Sequence, residues 1–319
     1  MRLALVGHGA MATEHLGVLR ELGVEARVVV GADPAAVERY AHEHGIERAT
    51  TDESAALTAE DVDIVVIASP SDRHAQQARL AIDAAKHVLI EIPIALSGAD
   101  ARDLAARAAT SDRTIMAGHI SRYYPAIQNL HARIQVASLS IHHVIAAMCT
   151  DKRSNRNWRG EPRDWVDNLL WHHGLHVIDT VLWLLNGDPV VASTVQAGRQ
   201  HAEHGGEMDL GIVLRTASGT LATIALSYHA KAQVTRYAFI AEEATLSYEQ
   251  GSPADSPPHE LLEGGSFRDL VMSQDRAFLD ACSTGRSAPI PIDAVLASMD
   301  LLDHLQAHID LQRGLRRQP

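Results

Sequence analysis

Cysteine is scarce: the 319 residues contain two, Cys149 and Cys282. Two thiols cannot build a disulfide framework, so the fold must be held by burial, and a reducing cytoplasm is the expected compartment. Long apolar runs are missing too. The first, Leu3-Ala4-Leu5-Val6, stops at Gly7, too short for a signal-peptide core, and no stretch reaches the roughly 20 residues that span a bilayer. Positive charge is in deficit, with 28 Lys plus Arg against 40 Asp plus Glu and a formal net charge of −12. Such a chain has no bulk attraction for nucleic acid or anionic membranes. Neither an internal repeat nor a low-complexity tract occurs. A stapled secreted module, a basic DNA-binding module and a membrane protein are therefore set aside.

What remains is ordinary globular composition, 46% hydrophobic and 21% charged, in a chain long enough for two domains. The first 118 residues alternate short apolar strands with helical periods. Leu3–Val6, Arg27–Gly31, Asp63–Ala68, Val88–Ile92 and Thr114–Gly118 read as strands, with helices over Gly9–Leu22, Pro34–His44, Ser71–Ala85 and Ser97–Thr110. The strands do not alternate polar with apolar, as expected of a parallel sheet covered on both faces. Beyond Gly118 the pattern changes. Strands are expected near 138–150, 190–200, 208–216, 220–229, 235–241 and 244–248, several of them alternating, with helices near 125–134, 164–186, 268–283 and 292–313. Alternation fits a mostly antiparallel sheet with one exposed face. The expected fold is thus α/β: a doubly wound parallel domain over 1–118 and a second α/β domain with an open sheet over 119–319.

The first strand runs into Gly7-His8-Gly9-Ala10-Met11-Ala12 and then a helix. This G-x-G-x-x-A turn has the residues that a dinucleotide pyrophosphate needs. Gly7 permits the tight turn, Gly9 lets the backbone approach the ligand, and Ala12 lets the helix pack against the strand. At the end of the second strand, Gly31 and Ala32 occupy the place where an acidic residue would select NAD by binding the ribose 2′-hydroxyl. Asp33, one residue further, is better placed to cap the next helix. NADP is the expected cofactor, with NAD the alternative.

Several further blocks identify a resemblance. They are Ser69-Pro70 followed by His74, Glu91-Ile92-Pro93, Gly118 with Arg122, Tyr123 and Pro125, and His176 with Asp179 in an H-x-x-D spacing. Together with the glycine turn, they resemble the Gfo/Idh/MocA oxidoreductases over nearly the whole chain. The resemblance implies a Rossmann domain, a second domain with an open antiparallel sheet, and cofactor contacts along Ser69, Pro70, His74, Glu91, Ile92 and Pro93. Two positions depart from it. The family's usual Glu-Lys-Pro has Ile92 in the lysine position, and the Asp that often precedes its histidine by four residues is His172. A narrower resemblance accommodates both departures. Glu91-Ile92-Pro93, Gly160-Glu161-Pro162-Arg163-Asp164-Trp165 and Leu169-Leu170-Trp171-His172-His173 resemble a branch that acts on semialdehydes of aromatic ring cleavage. That branch implies NADP-linked oxidation of a dianionic cyclic hemiacetal to 2-pyrone-4,6-dicarboxylate.

A dianion approaching an acidic chain needs local positive charge. Lys152, Arg153, Arg156, Arg159 and Arg163 lie within one short stretch, Asn155, Asn157 and Trp158 could add amide donors and a flat wall, Trp165 could line the cleft or pack in a core or interface, and Arg122 is a further candidate. Hemiacetal oxidation also needs a base, and a neutral imidazole suits that role. His176 is the expected base, with His172 or His173 orienting it or binding a carboxylate, and Asp179 holding the helix or tuning His176. Three rival readings compete. The spacing of His172, His176 and Asp179 could suit zinc, although no H-E-x-x-H motif is present and no metal is expected. A non-catalytic dinucleotide-binding regulator and a dehydrogenase for another small acid or sugar are the others. The expected partners are a small dicarboxylate-type substrate and further copies of the chain, as a homodimer or larger homo-oligomer.

Overall fold

The computed structural model describes residues 1–136, 139–152, 167–202, 206–249, 260–261 and 266–316. The chain divides into two compact units, Met1–Ile120 with Ser266–Leu296, and Ser121–Gly265 with Ala297–Pro319. This corrects the expected division into 1–118 and 119–319. The change in hydrophobic pattern near Gly118 marks a real boundary, but Ser266–Leu296 returns to the first unit. Helical periodicity shows that a helix forms there; it carries no information on which sheet buries it.

In the first unit six strands form one parallel sheet: β1 (Arg2–Val6), β2 (Glu25–Val30), β3 (Arg48–Thr50), β4 (Ile64–Ile67), β5 (His87–Glu91) and β6 (Ile115–Gly118). Their order is β3-β2-β1-β4-β5-β6, the doubly wound arrangement whose winding reverses between β1 and β4. Every residue of β4 is buried, as its unbroken apolar run requires. Helices α1 (Ala10–Glu21), α2 (Pro34–His44), α3 (Glu53–Leu57), α4 (His74–Asp83) and α5 (Gly98–Ala109) connect the strands. Asp33 accepts a hydrogen bond from the Ala36 amide and caps α2, the role the sequence suggested. Helix α4 begins later than expected, after a 3₁₀ turn over Ser71–Arg73.

In the second unit, α6 (Pro125–Gln135) and α7 (Leu175–Leu184) accompany a seven-stranded sheet. Its strands are β7 (Ile141–Asp151), β8 (Val190–Ala197), β9 (Asp209–Thr216), β10 (Leu221–Ser227), β11 (His229–Ala241), β12 (Thr245–Glu249) and β13 (Glu260–Leu261), in the order β13-β12-β11-β7-β10-β9-β8. Only β7/β10 and β12/β13 pair in parallel among the described residues, so the sheet is open and mostly antiparallel. β9 and β10 alternate buried with exposed residues, leaving one face uncovered. Two helices close the chain: α8 (Phe267–Thr284) in the first unit and α9 (Leu296–Arg316), nearly all in the second. Among the described residues, no helix is long and apolar enough to cross a membrane.

Candidate active site

In a parallel sheet every strand ends on the same edge. The carboxyl ends of β1, β2, β4 and β5 therefore place Gly7, Gly31, Ser69-Pro70 and Glu91-Ile92-Pro93 along one rim of the first unit. Gly7 has φ +107°, and a Cβ there would lie 2.4 Å from the Ala68 carbonyl oxygen, so only glycine fits. Gly9 differs: a Cβ there would meet nothing within 4 Å, and no side chain caps the amides that open α1. An anion could take those N–H groups, while Ala12, fully buried, lets α1 lie close to the sheet. This open, side-chain-free helix start fits a dinucleotide pyrophosphate. Ala10 and Met11 form the first residues of the same helix.

At the ribose end of the rim, Gly31 and Ala32 themselves carry no acidic side chain. The His8 imidazole lies against Gly31, where a Cβ would stand 2.6 Å from the ring, and Ala32 is exposed beside it. At the other end, His74 sets one ring nitrogen 2.8 Å from the Pro93 carbonyl oxygen and the other 2.8 Å from that of Ser69. His74 therefore ties the β4 and β5 loops together. Ser69 Oγ donates to Gln77 Oε1 at 2.6 Å. Ile92 is half-buried and Pro93 buried, so the rim's central position offers a hydrocarbon side chain.

The second unit holds the imidazoles. Where sequence periodicity predicts continuous α-helix over 164–186, a π-helical turn covers Leu170–Gly174 and α7 follows, with 164–166 outside the described residues. The turn opens with the Asn168 side chain accepting from the Trp171 amide, and the Gly174 amide reaches back to the Leu169 carbonyl. A Cβ on Gly174 would lie 3.1 Å from the Leu226 side chain on β10, so the turn packs closely there. His172 and His173 lie ring to ring at 4.3 Å, and His173 sits edge-on to Tyr228 at 5.1 Å. His172 Nδ1 and the Tyr228 hydroxyl are 2.9 Å apart. Lys152 Nζ stands 5.1 Å over the Tyr228 ring, and both side chains are buried. His176 instead engages Ser121, Nδ1 to Oγ at 3.2 Å. His172 and His173 thus meet Tyr228, while His176 meets Ser121.

Arg122 and Asp179 form a pair of their own. The Arg122 guanidinium donates Nε and Nη2 to Asp179 at 2.8 and 2.7 Å, and Ser298 Oγ adds a third hydrogen bond at 3.0 Å. Asp179 is wholly buried, and the guanidinium lies 5.5 Å from the Trp183 ring centre. The geometry differs from the expectation for Arg122, whereas holding the helix was one of the two roles expected of Asp179. Arg122, read as a substrate-carboxylate ligand, spends its fork on an internal carboxylate, and Asp179 anchors α7 with both oxygens engaged. Arg153, Arg159, Arg163 and Trp165 lie outside the described residues, as do Asn155, Arg156, Asn157, Trp158 and the Gly160–Asp164 block. Sequence reading missed Tyr228, which sits between β10 and β11 with no motif around it. Two hydrophobic strands flanking a single buried tyrosine were the only available signal.

Comparison with known proteins matches these features. A model described as an oxidoreductase family with an NAD-binding Rossmann fold covers residues 1–119, and one for bacterial oxidoreductase C-terminal regions covers 125–252. The chain is 31% identical, over 98% of its own length and 100% of the relative's, to 4-carboxy-2-hydroxymuconate-6-semialdehyde dehydrogenase of Sphingobium sp. strain SYK-6. It is 30% identical to inositol 2-dehydrogenase 2 of Paenarthrobacter aurescens, covering 90% and 89% of the two chains. Among solved structures, GenD2 from gentamicin A biosynthesis in complex with NAD superposes with a TM-score of 0.83 at 24% identity, over 97% of this chain and 94% of that one. Levoglucosan dehydrogenase in complex with NADH superposes with a TM-score of 0.83 at 16% identity, over 98% and 97%. At those identities the structures establish the shared fold alone. The sequence relatives carry the assignment further: the chain belongs to the Gfo/Idh/MocA family of NAD-binding oxidoreductases and is a dehydrogenase of that family.

Proposed function

We propose that this dehydrogenase oxidises the cyclic hemiacetal of 4-carboxy-2-hydroxymuconate-6-semialdehyde to 2-pyrone-4,6-dicarboxylate with NADP as acceptor. The observation that carries this is the group formed in the second unit by buried Lys152 and Tyr228 with half-buried His172 and His173. A cation beside hydrogen-bonding rings suits a carboxylated substrate better than a neutral polyol. Ile92, in place of the lysine usual in the family's sugar dehydrogenases, points the same way. A hemiacetal carries a ring oxygen that supports the developing carbonyl, so its oxidation needs less help than that of a secondary alcohol.

When bound, the dinucleotide supplies the two-electron acceptor for the hemiacetal C–H. His176 takes the hydroxyl proton: in the tautomer whose Nδ1–H donates to Ser121 Oγ, Nε2 carries the lone pair of a base. Lys152 attracts a carboxylate, and Tyr228 fixes the orientation of His172. Arg153, Arg159 and Arg163 are proposed as further carboxylate ligands on chemical grounds. Gly31 and the His8 ring leave the 2′-position without a repelling carboxylate, which supports NADP over NAD. The test is nicotinamide absorbance with the semialdehyde and each cofactor; absence of turnover with both removes the assignment.

A polyol substrate is the second reading, supported by the likeness to an inositol dehydrogenase. Turnover of myo-inositol but not of the semialdehyde would select it. Self-assembly belongs to the same proposal. On the uncovered face of the second sheet, exposed Ile145 and Val213 flank Thr223 in register, an apolar row suited to a second copy. Light scattering that finds only monomers would refute a dimer.

A further inference from the structure

One buried charged group lies outside everything described so far. His15, on α1, is fully buried between two carboxylates. Its Nδ1 stands 2.9 and 3.0 Å from the two oxygens of Asp275 on α8, and its Nε2 stands 2.9 Å from Glu91 Oε1 at the end of β5. An imidazole can donate from both nitrogens only as the cation. Burial opposes that charge, but Asp275 and then Glu91 outweigh it and push His15 up to about 10. Glu91 is also confined from its other side, since a Cβ on its register partner Gly118 would lie 2.9 Å from Oε1. Exposed Arg268 on α8 pairs with Glu14 and Glu21 on α1, tying the same two helices again at the surface.

The position of the cluster gives it a role. α1 begins at the glycine turn, and Glu91 immediately precedes Ile92-Pro93 on the same rim. We propose that His15 is a positioning residue: its imidazolium fixes the spacing between the helix start that seats the pyrophosphate and the β5 edge that meets the nicotinamide end. This presupposes the dinucleotide-dependent function proposed for the chain. Asp275, 260 residues away in sequence, supplies the second anchor. The segment Ser266–Leu296 thereby contributes to cofactor binding without touching the cofactor. Glutamine at position 15 could fill much of the space, but its single amide nitrogen cannot donate toward two opposed carboxylates at once.

The experiment is a calorimetric titration of NADP and NAD into the purified full-length protein and into His15→Gln, with thermal melting of each. The wild type is expected to bind. His15→Gln is expected to melt cooperatively yet bind at least about tenfold more weakly, with KM for the dinucleotide rising in parallel and kcat at saturation within about threefold. A purely architectural His15 would lower Tm and leave the dissociation constant of the folded protein unchanged, which overturns the proposal. If His15→Gln does not fold, Asp275→Asn takes its place, since it keeps the side-chain shape while removing one anchor charge. Wild-type affinity in that variant overturns the proposal equally. A wild type that binds neither dinucleotide removes the underlying function and this role together, whereas failure confined to the variants removes the positioning role alone.

Discussion

His176 and Lys152 make separate demands on a substrate, so their substitution should separate kinetically. His176→Ala removes only the proposed base and is expected to lower kcat by about 10²–10⁴-fold with a small change in substrate KM. Lys152→Met removes an attractive charge and is expected mainly to raise substrate KM. Steady-state kinetics of the two variants checks the split; identical, small effects on both would place the chemistry elsewhere. The paired Arg122 and Asp179 are expected to bear on stability. Asp179→Leu leaves a buried guanidinium without its carboxylate, at a cost of about 3–5 kcal/mol. The double variant Arg122→Met with Asp179→Leu should recover much of that loss, as urea unfolding of the three proteins would show. The sequence revealed the candidate status of His176 through its spacing. It could not reveal that Arg122 is committed internally, because that depends on a residue 57 positions away.

At the scale of elements, the glycine turn is the most sharply determined feature. Gly7→Ala combines a positive φ with overlap of the Ala68 carbonyl, so about 1–3 kcal/mol of destabilisation is expected together with loss of dinucleotide affinity. Melting and titration of the same sample test both. The turn was legible because its requirements are local: a left-handed residue, an open approach and a small residue facing a strand all lie within six positions. The π turn at Leu170–Gly174 was not legible. Its sequence, Leu-Trp-His-His-Gly, suits an α-helix equally well, and in the fold Gly174 packs closely against Leu226 of β10. Tyr228 escaped notice for a related reason. Its significance lies in Lys152 and His172, which reach it from β7's end and from the π turn.

For the whole molecule, buried proton binding sets an expected pH response. His15 ordinarily titrates near 6.5 and is pushed up to about 10 in the folded state, so folding holds its proton more tightly. The stabilisation is complete below about 6.5 and disappears as pH rises through about 10. Burial, aided by the charge of Glu91, also raises Asp275, which acts in the same direction. On the acid side, the hydrogen bonds from Arg2 hold Asp63 at about 2, and its contribution is lost as pH falls from 3.8 toward that value. Wild-type Tm should therefore decline from neutral toward pH 10, and His15→Gln should flatten that decline. Parallel curves for the two proteins would show that His15 does not govern the alkaline limb.

By itself, the amino-acid sequence determined the α/β class, the parallel sheet of the first unit, the open sheet of the second, the phosphate-binding turn and the family. Each follows from patterns a few residues long: apolar runs, alternation, a glycine spacing and short motif blocks. The tertiary structure alone decided that Ser266–Leu296 joins the first unit, that Arg122 closes on Asp179, that His172 meets Tyr228, and that His15 bridges Glu91 and Asp275. These depend on which distant surfaces bury one another. Charge and periodicity specify that a side chain must find a partner, while the packed fold selects the partner.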